Sequence, residues 1–165
     1  MLTIDVVTFA TVIESAHHLA DPRSVKIELD PRGSTALYDA IGVSFNNFGK
    51  ALADLPEHAP PGTVLVTIVT EGEENSSQEY SAGTVKAMIA HQKAAFDWDI
   101  SFLGANQDAV LEAQKIGIGA ADAPTFDAAA VAGTMTAHAQ KLSRRRQGDR
   151  AGYNADERRA AGGET

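Results

Sequence analysis

The chain has 165 residues, 44% of them apolar, no cysteine and a formal charge of −8. That length supports one domain with its own core, and the lack of cysteine excludes a disulfide framework, a thiolate nucleophile and a cysteine metal site. Residues 1–140 carry 7 basic and 18 acidic side chains whereas 141–165 carry 7 basic and 4 acidic ones, so the acidic body argues against binding nucleic acid.

Leu2 to Phe9 is rich in Thr, Ile and Val and predicts a strand. Thr11 to His17 and Val25 to Leu29 are weaker strand candidates, separated by Asp21-Pro22. From Thr35 the period changes: Leu37, Ile41, Phe45 and Phe48 fall at helical spacing, and Leu52 and Leu55 extend the stripe up to Pro56. Val64 to Val69 is a short apolar run bounded by turn signals, the pattern of a strand covered on both faces. A helix follows over about 81–95, with Val85, Met88 and Ile89 as its apolar positions. Trp98 to Leu103 predicts a strand, Gln107 to Ile116 a helix stopped by Gly117, and Pro124 to Phe126 a last strand. Asp127 stands where an N-cap belongs, ahead of a helix with the stripe Val131, Met135, His138 and Leu142.

Strands alternating with helices in this order predict an α/β fold with a parallel sheet and helices on both faces. Ligands bind such sheets at the carboxyl ends of the strands, where the Thr70-Glu71 loop falls. Beyond Ser143 the apolar period stops, so 1–143 read as the domain and 144–165 as a disordered, Arg-rich then Gly/Ala-rich tail. Arg144 to Arg146 read as a solvated helix end. The N-terminus lacks the features of a signal peptide, and no segment nears the roughly 18 apolar residues of a membrane span. A cytoplasmic protein is expected.

Two runs carry the most chemical information. Pro31-Arg32-Gly33-Ser34-Thr35-Ala36-Leu37-Tyr38-Asp39-Ala40-Ile41 reads as a turn opening a helix. Val64-Leu65-Val66-Thr67-Ile68-Val69-Thr70-Glu71-Gly72-Glu73-Glu74-Asn75-Ser76-Ser77 reads as a strand ending in a loop dense with carboxylates and hydroxyls. They set a Thr and an acidic group at two loop tips, oxygen ligands of the kind a hard divalent cation accepts. Both runs resemble the second and third metal-site motifs of the von Willebrand factor type A domain, in its bacterial and phage-borne members. Phe102-Leu103-Gly104-Ala105-Asn106-Gln107-Asp108-Ala109 resembles a third recurring run of that family.

The resemblance covers about residues 2–143 and implies a three-layer, doubly wound, mostly parallel sheet of Rossmann-like architecture. It also implies a protein-binding module with a partial Mg²⁺ (or Mn²⁺) adhesion site. Thr35 matches the threonine of the second motif, and Glu71 stands where the third usually has Asp, its carboxylate about 1.5 Å further out. Ser34, Glu73, Asn75, Ser76 and Ser77 become rim or supporting residues. The first motif, Asp-x-Ser-x-Ser, is absent, and with it the family's central first strand and the following helix. Two explanations stand: a start at an internal Met, or a chain completed by another polypeptide or a dimer mate.

Two other functions compete. One is a degenerate, metal-free assembly domain. The other is a Mg²⁺-dependent hydrolase, which would need several carboxylates on one ion, and only Glu71, Glu73 and Glu74 are near one another in sequence. No nucleophile motif is present, and a non-enzymatic role is expected. Gly117 to Asp122 follows a helix rather than a strand, so it reads as a turn and not a dinucleotide loop.

Overall fold

The computed structural model describes residues 2–28, 33–56, 61–104, 107–124 and 130–162. β1 (Ile4–Phe9) and β2 (Ile13–Ala20) form an antiparallel hairpin, its register shifting between Ile4 and Val6 and between Val6 and Val7. α1 (Leu37–Ala53), β3 (Leu65–Thr70), α2 (Ala82–Phe96) and β4 (Asp99–Gly104) follow. β3 and β4 pair in parallel, from Leu65 opposite Asp99 to Thr70 opposite Gly104, with α2 as the crossover that a parallel pair needs. α3 (Gln107–Lys115), α4 (Val131–Arg146) and α5 (Ala155–Ala160) complete the chain.

The parallel pair has two chemically different faces because strand side chains alternate. Ile68, Ile100 and Phe102 point into the main core, where they meet Leu37, Ile41 and Phe45 of α1 and Val85 and Ile89 of α2. Trp98 closes one end of that core, edge-on to Phe45 at 5.3 Å and to Phe48 at 5.7 Å. Truncating a fully buried aromatic such as Phe102 costs about 3–5 kcal/mol. The other face presents Thr67, Asp99 and Ser101 to α4, and its contacts are polar.

On that face Lys141, 1% exposed, sits 2.9 Å from Asp99 Oδ1, 3.0 Å from Asp122 Oδ1 and 2.7 Å from Ser101 Oγ. His138 Nε2 lies 2.7 Å from Thr67 Oγ1, and its Nδ1 meets the Tyr153 hydroxyl. Each of these groups has a partner, as a buried polar network requires, while Arg145 Nε further along α4 is buried without a hydrogen bond.

Several expectations need correction. The three-layer, doubly wound parallel sheet is not formed: the described strands make two separate two-stranded sheets, one antiparallel and one parallel. The alternation of strand and helix holds from α1 to α3, but it reports element type and not how many strands share a sheet. Among the described residues β1 and β2 pair only with each other, across a short turn. Val25 to Glu28 forms no strand. β3 is not covered on both faces, since Ile68 and Thr70 are buried while Thr67 and Val69 are exposed. The buried face of α4 is Thr134, Ala137, His138, Lys141 and Arg145, not the Val131 and Met135 stripe, because the sheet face it covers is polar.

The segment expected as a disordered tail is structured through Gly162. α4 runs on to Arg146, and Asn154 and Glu157 form a reciprocal capping box at the start of α5. Tyr153 is 2% exposed and packs with Leu103. Arg144 grips Glu157 at 2.7 Å, and Arg145 lies 3.2 Å from Asp99 and 3.1 Å from Asp97. The charged composition that suggested solvation is largely spent on internal ion pairs. Of the strand expected at Pro124 to Phe126, Pro124 is described and lies in no strand, while its other two residues and the N-cap Asp127 fall in 125–129, outside the described residues. None of the described helices is long and apolar enough to cross a membrane.

Candidate functional site

The two runs singled out in the sequence meet at one end of the molecule. Thr35 N donates to Asn75 Oδ1 at 2.8 Å and Asn75 N donates to Thr35 O at 3.1 Å, so the two loops are tied reciprocally. Gly72 lets them approach: a Cβ there would stand 2.6 Å from Thr35 Oγ1. Gly33 has φ of +75°, a conformation L side chains rarely adopt. Beside it Ser34 N donates to Thr11 Oγ1 at 3.1 Å and Ala36 N to Ala10 O at 2.9 Å, which anchors this loop to the hairpin turn. Buried Thr70 closes the exit of β3 by bonding both N–H and C=O of Gly72 through its hydroxyl.

Two carboxylates that the sequence reading did not assign hold the acidic loop in place. Glu74 Oε1 accepts from Ser76 N (2.9 Å) and Ser77 N (2.7 Å), and Oε2 accepts from Ser77 Oγ (2.7 Å) and Tyr38 N (3.0 Å). Asp39 accepts from the consecutive backbone N–H groups of Gln78, Glu79 and Tyr80 at 2.8–2.9 Å. Burial alone would raise both carboxyls, but the donors aimed at them outweigh it and hold both below the usual range.

This arrangement also solves a local problem of α1. Its N-cap residue, Ala36, offers no side-chain cap, yet the first N–H groups of a helix need acceptors. Tyr38 N takes Glu74, and Asp39 N takes Ser77 Oγ at 3.1 Å. The Glu74 carboxylate is also well placed against the positive end of the helix dipole. The sequence held a signal for it: in Glu74-Asn75-Ser76-Ser77 an acceptor precedes donors at +2 and +3, the spacing of local side-chain capping.

The expected site residues therefore divide. Thr35 and Glu71 lie on loops that meet, and Ser34, Glu71, Glu73 and Asn75 are exposed. Ser77 is turned inward as a structural bridge, and Ser76 Oγ is buried without a partner. Glu74 does not pair with Glu73 for acid–base work, since its oxygens are occupied by four donors. Among the described residues no group of three or more His, Asp or Glu converges as a metal cage. Thr35 and Glu71, with Ser34 and Glu73 beside them, are the oxygens that could hold Mg²⁺, and this is a thin set for a cation that favours six oxygens.

Next to this tip runs an open groove lined by Tyr38, Glu74, Ser77, Tyr80, Ser81 and Thr84 among others. The Tyr38 hydroxyl donates to Glu112, which Lys115 also meets at 2.7 Å. Burial, then the Glu112 contact, keeps this phenol protonated well above its ordinary range.

Among the described residues, Ser101 and Lys141 form a hydroxyl–amine pair at 2.7 Å. Ser101 has no solvent exposure and Lys141 also meets Asp99 and Asp122, so the pair is sealed inside the fold. No family model, curated protein or solved structure matches the chain.

Proposed function

We propose that the chain is a non-enzymatic binding module that recognises a protein partner through the loop face carrying Ser34, Thr35, Glu71, Glu73 and Asn75. The observation that carries this reading is the reciprocal Thr35–Asn75 tie backed by the Glu74 and Asp39 anchors. It fixes a polar tip in advance, and a surface that need not be ordered on binding keeps more of its interaction energy. The resemblance of these two runs to the adhesion-site motifs of the von Willebrand type A family supports the same surface. Mg²⁺ or Mn²⁺ held by Thr35 and Glu71 would leave positions for a partner's carboxylate. A metal-free version of the same module is favoured by the thin donor set.

Two measurements test this. Affinity capture from the source cells should retain a partner on the wild-type chain and lose it on Glu71→Arg/Glu73→Arg; equal retention by both overturns the assignment of the face. A melting curve with Mg²⁺ at about ten times its Kd should gain about 1.4 kcal/mol, or about 3–6 °C for a chain of this size. Thr35→Ala should abolish that gain. No gain in the wild type leaves the metal-free module.

A further inference from the structure

We infer that the free edge of β3 is a second docking site, which accepts an extended, apolar, base-flanked strand from another protein. In a parallel pair, each strand turns alternate residues toward its neighbour. Val64 O accepts from Asp99 N at 3.0 Å, so the even-numbered residues of β3 face β4. Leu65, Thr67 and Val69 then aim their N–H and C=O groups away from the sheet, and among the described residues no backbone partner meets them. The opposite edge of the pair is different, because Phe102 N on β4 donates to Asp122 O at 2.9 Å. The chain itself meets one edge at Phe102, and among the described residues no backbone partner meets the other.

The surroundings of the open edge fit a strand. Parallel strands are normally covered on both faces, yet Val69 is 46% exposed on the α4 side of the sheet. Val131, Met135 and His138 share one face of α4 by their i, i+4, i+7 spacing, and His138 touches Thr67 of β3. Val131 and Met135 remain 39% and 41% exposed. A row of unsatisfied backbone groups beside uncovered apolar side chains is the template that strand addition uses.

Charge decides between occupants. The carboxyl end of β3 leads into exposed Glu71 and Glu73, and no ion pair to either is found among the described residues. A second copy would bring another chain of charge −8 against this edge. A strand carrying Lys or Arg at its end complements it instead. This site works through backbone hydrogen bonds and needs no metal; it shares Glu71 and Glu73 with the loop face, and the test below substitutes neither.

The test uses a fluorescent peptide of alternating valine and threonine with a lysine at each end, in EDTA. Its N-methylated twin, unable to pair along one edge, is the control. In the free protein the Leu65, Thr67 and Val69 amides should exchange faster than those of Val66, Ile68 and Thr70, and the peptide should slow the first set. The N-methylated peptide, and the variant Val69→Pro with the plain peptide, should each bind at least about tenfold more weakly, as expected from loss of edge hydrogen bonds worth about 1.4 kcal/mol. Equal binding of the two peptides, no binding at about 1 mM, or uniformly slow amides along β3 would overturn the inference. So would sedimentation showing a dimer that Val69→Pro abolishes, since the edge would then belong to a second copy.

Discussion

Replacing Asp39 with Asn preserves the shape of the side chain and removes its charge. In the wild type Oδ1 accepts from Glu79 N (2.9 Å) and Tyr80 N (2.8 Å), while Oδ2 accepts from Gln78 N (2.8 Å). An Asn can offer its carbonyl oxygen to two of these donors, and its NH₂ then confronts the third. One charge-assisted bond is lost outright and two are weakened, a cost of about 2–4 kcal/mol. With a urea slope near 2 kcal/mol/M, the unfolding midpoint at pH 7 should fall by about 1–2 M. The sign of the pH dependence follows from the depressed carboxyl. Its contribution is present above the ordinary pKa of 3.8 and is lost as pH falls through the lower folded value, so wild type and variant should converge in acid. An unchanged midpoint at pH 7, or a gap that does not narrow on acidification, refutes the anchor role.

Three further outcomes follow from the polar face under α4. Burial, reinforced by the Lys141 charge, lowers His138 to about 4 from an ordinary 6.5, so its share of stability is full above pH 6.5 and drains as pH falls toward 4. The loss reaches at most about 3 kcal/mol, and His138→Gln should flatten the fall in melting temperature over that window. Lys141→Met removes the cation that Asp99 and Asp122 share, leaving Asp99 with Arg145 and Asp122 with Lys93 at 3.7 Å, and should cost about 3–5 kcal/mol by urea unfolding; a neutral result would mean the pair is solvated. Tyr153→Ala should cost about 3–5 kcal/mol and speed proteolysis within 147–162, whereas a loose tail would be cut equally fast in both proteins.

The residues differ in how far their roles could be read in advance. The α1 stripe was legible because a buried apolar face repeats with the helical period, and β3 was legible as a short apolar run between turn signals. The two loop tips were legible from their two runs and the resemblance those runs carry, whereas the turn at Gly33 and the close approach at Gly72 emerged only in the fold. The sheet arrangement was not, because pairing partners depend on tertiary contacts that periodicity does not encode. Arg144 and Glu157 misled for a related reason, and Lys141 was given no role. Long charged residues usually signal solvent, and only the fold reveals that Lys141 meets Asp99 and Asp122 while Arg144 meets Glu157. Glu74 was read only as one carboxylate of the acidic loop, although its oxygen accepts from Tyr38 N, 36 residues earlier, in the first turn of α1.

The most direct test of the central claim, a recognition tip fixed before any partner arrives, is amide exchange through the acidic loop of the free protein. Ser76 and Ser77 donate to Glu74, and Gln78, Glu79 and Tyr80 donate to Asp39. These five amides should exchange far more slowly than an open loop allows, and Glu74→Gln should release the first two selectively. Exchange at the rate of an unstructured peptide across all five would contradict the account.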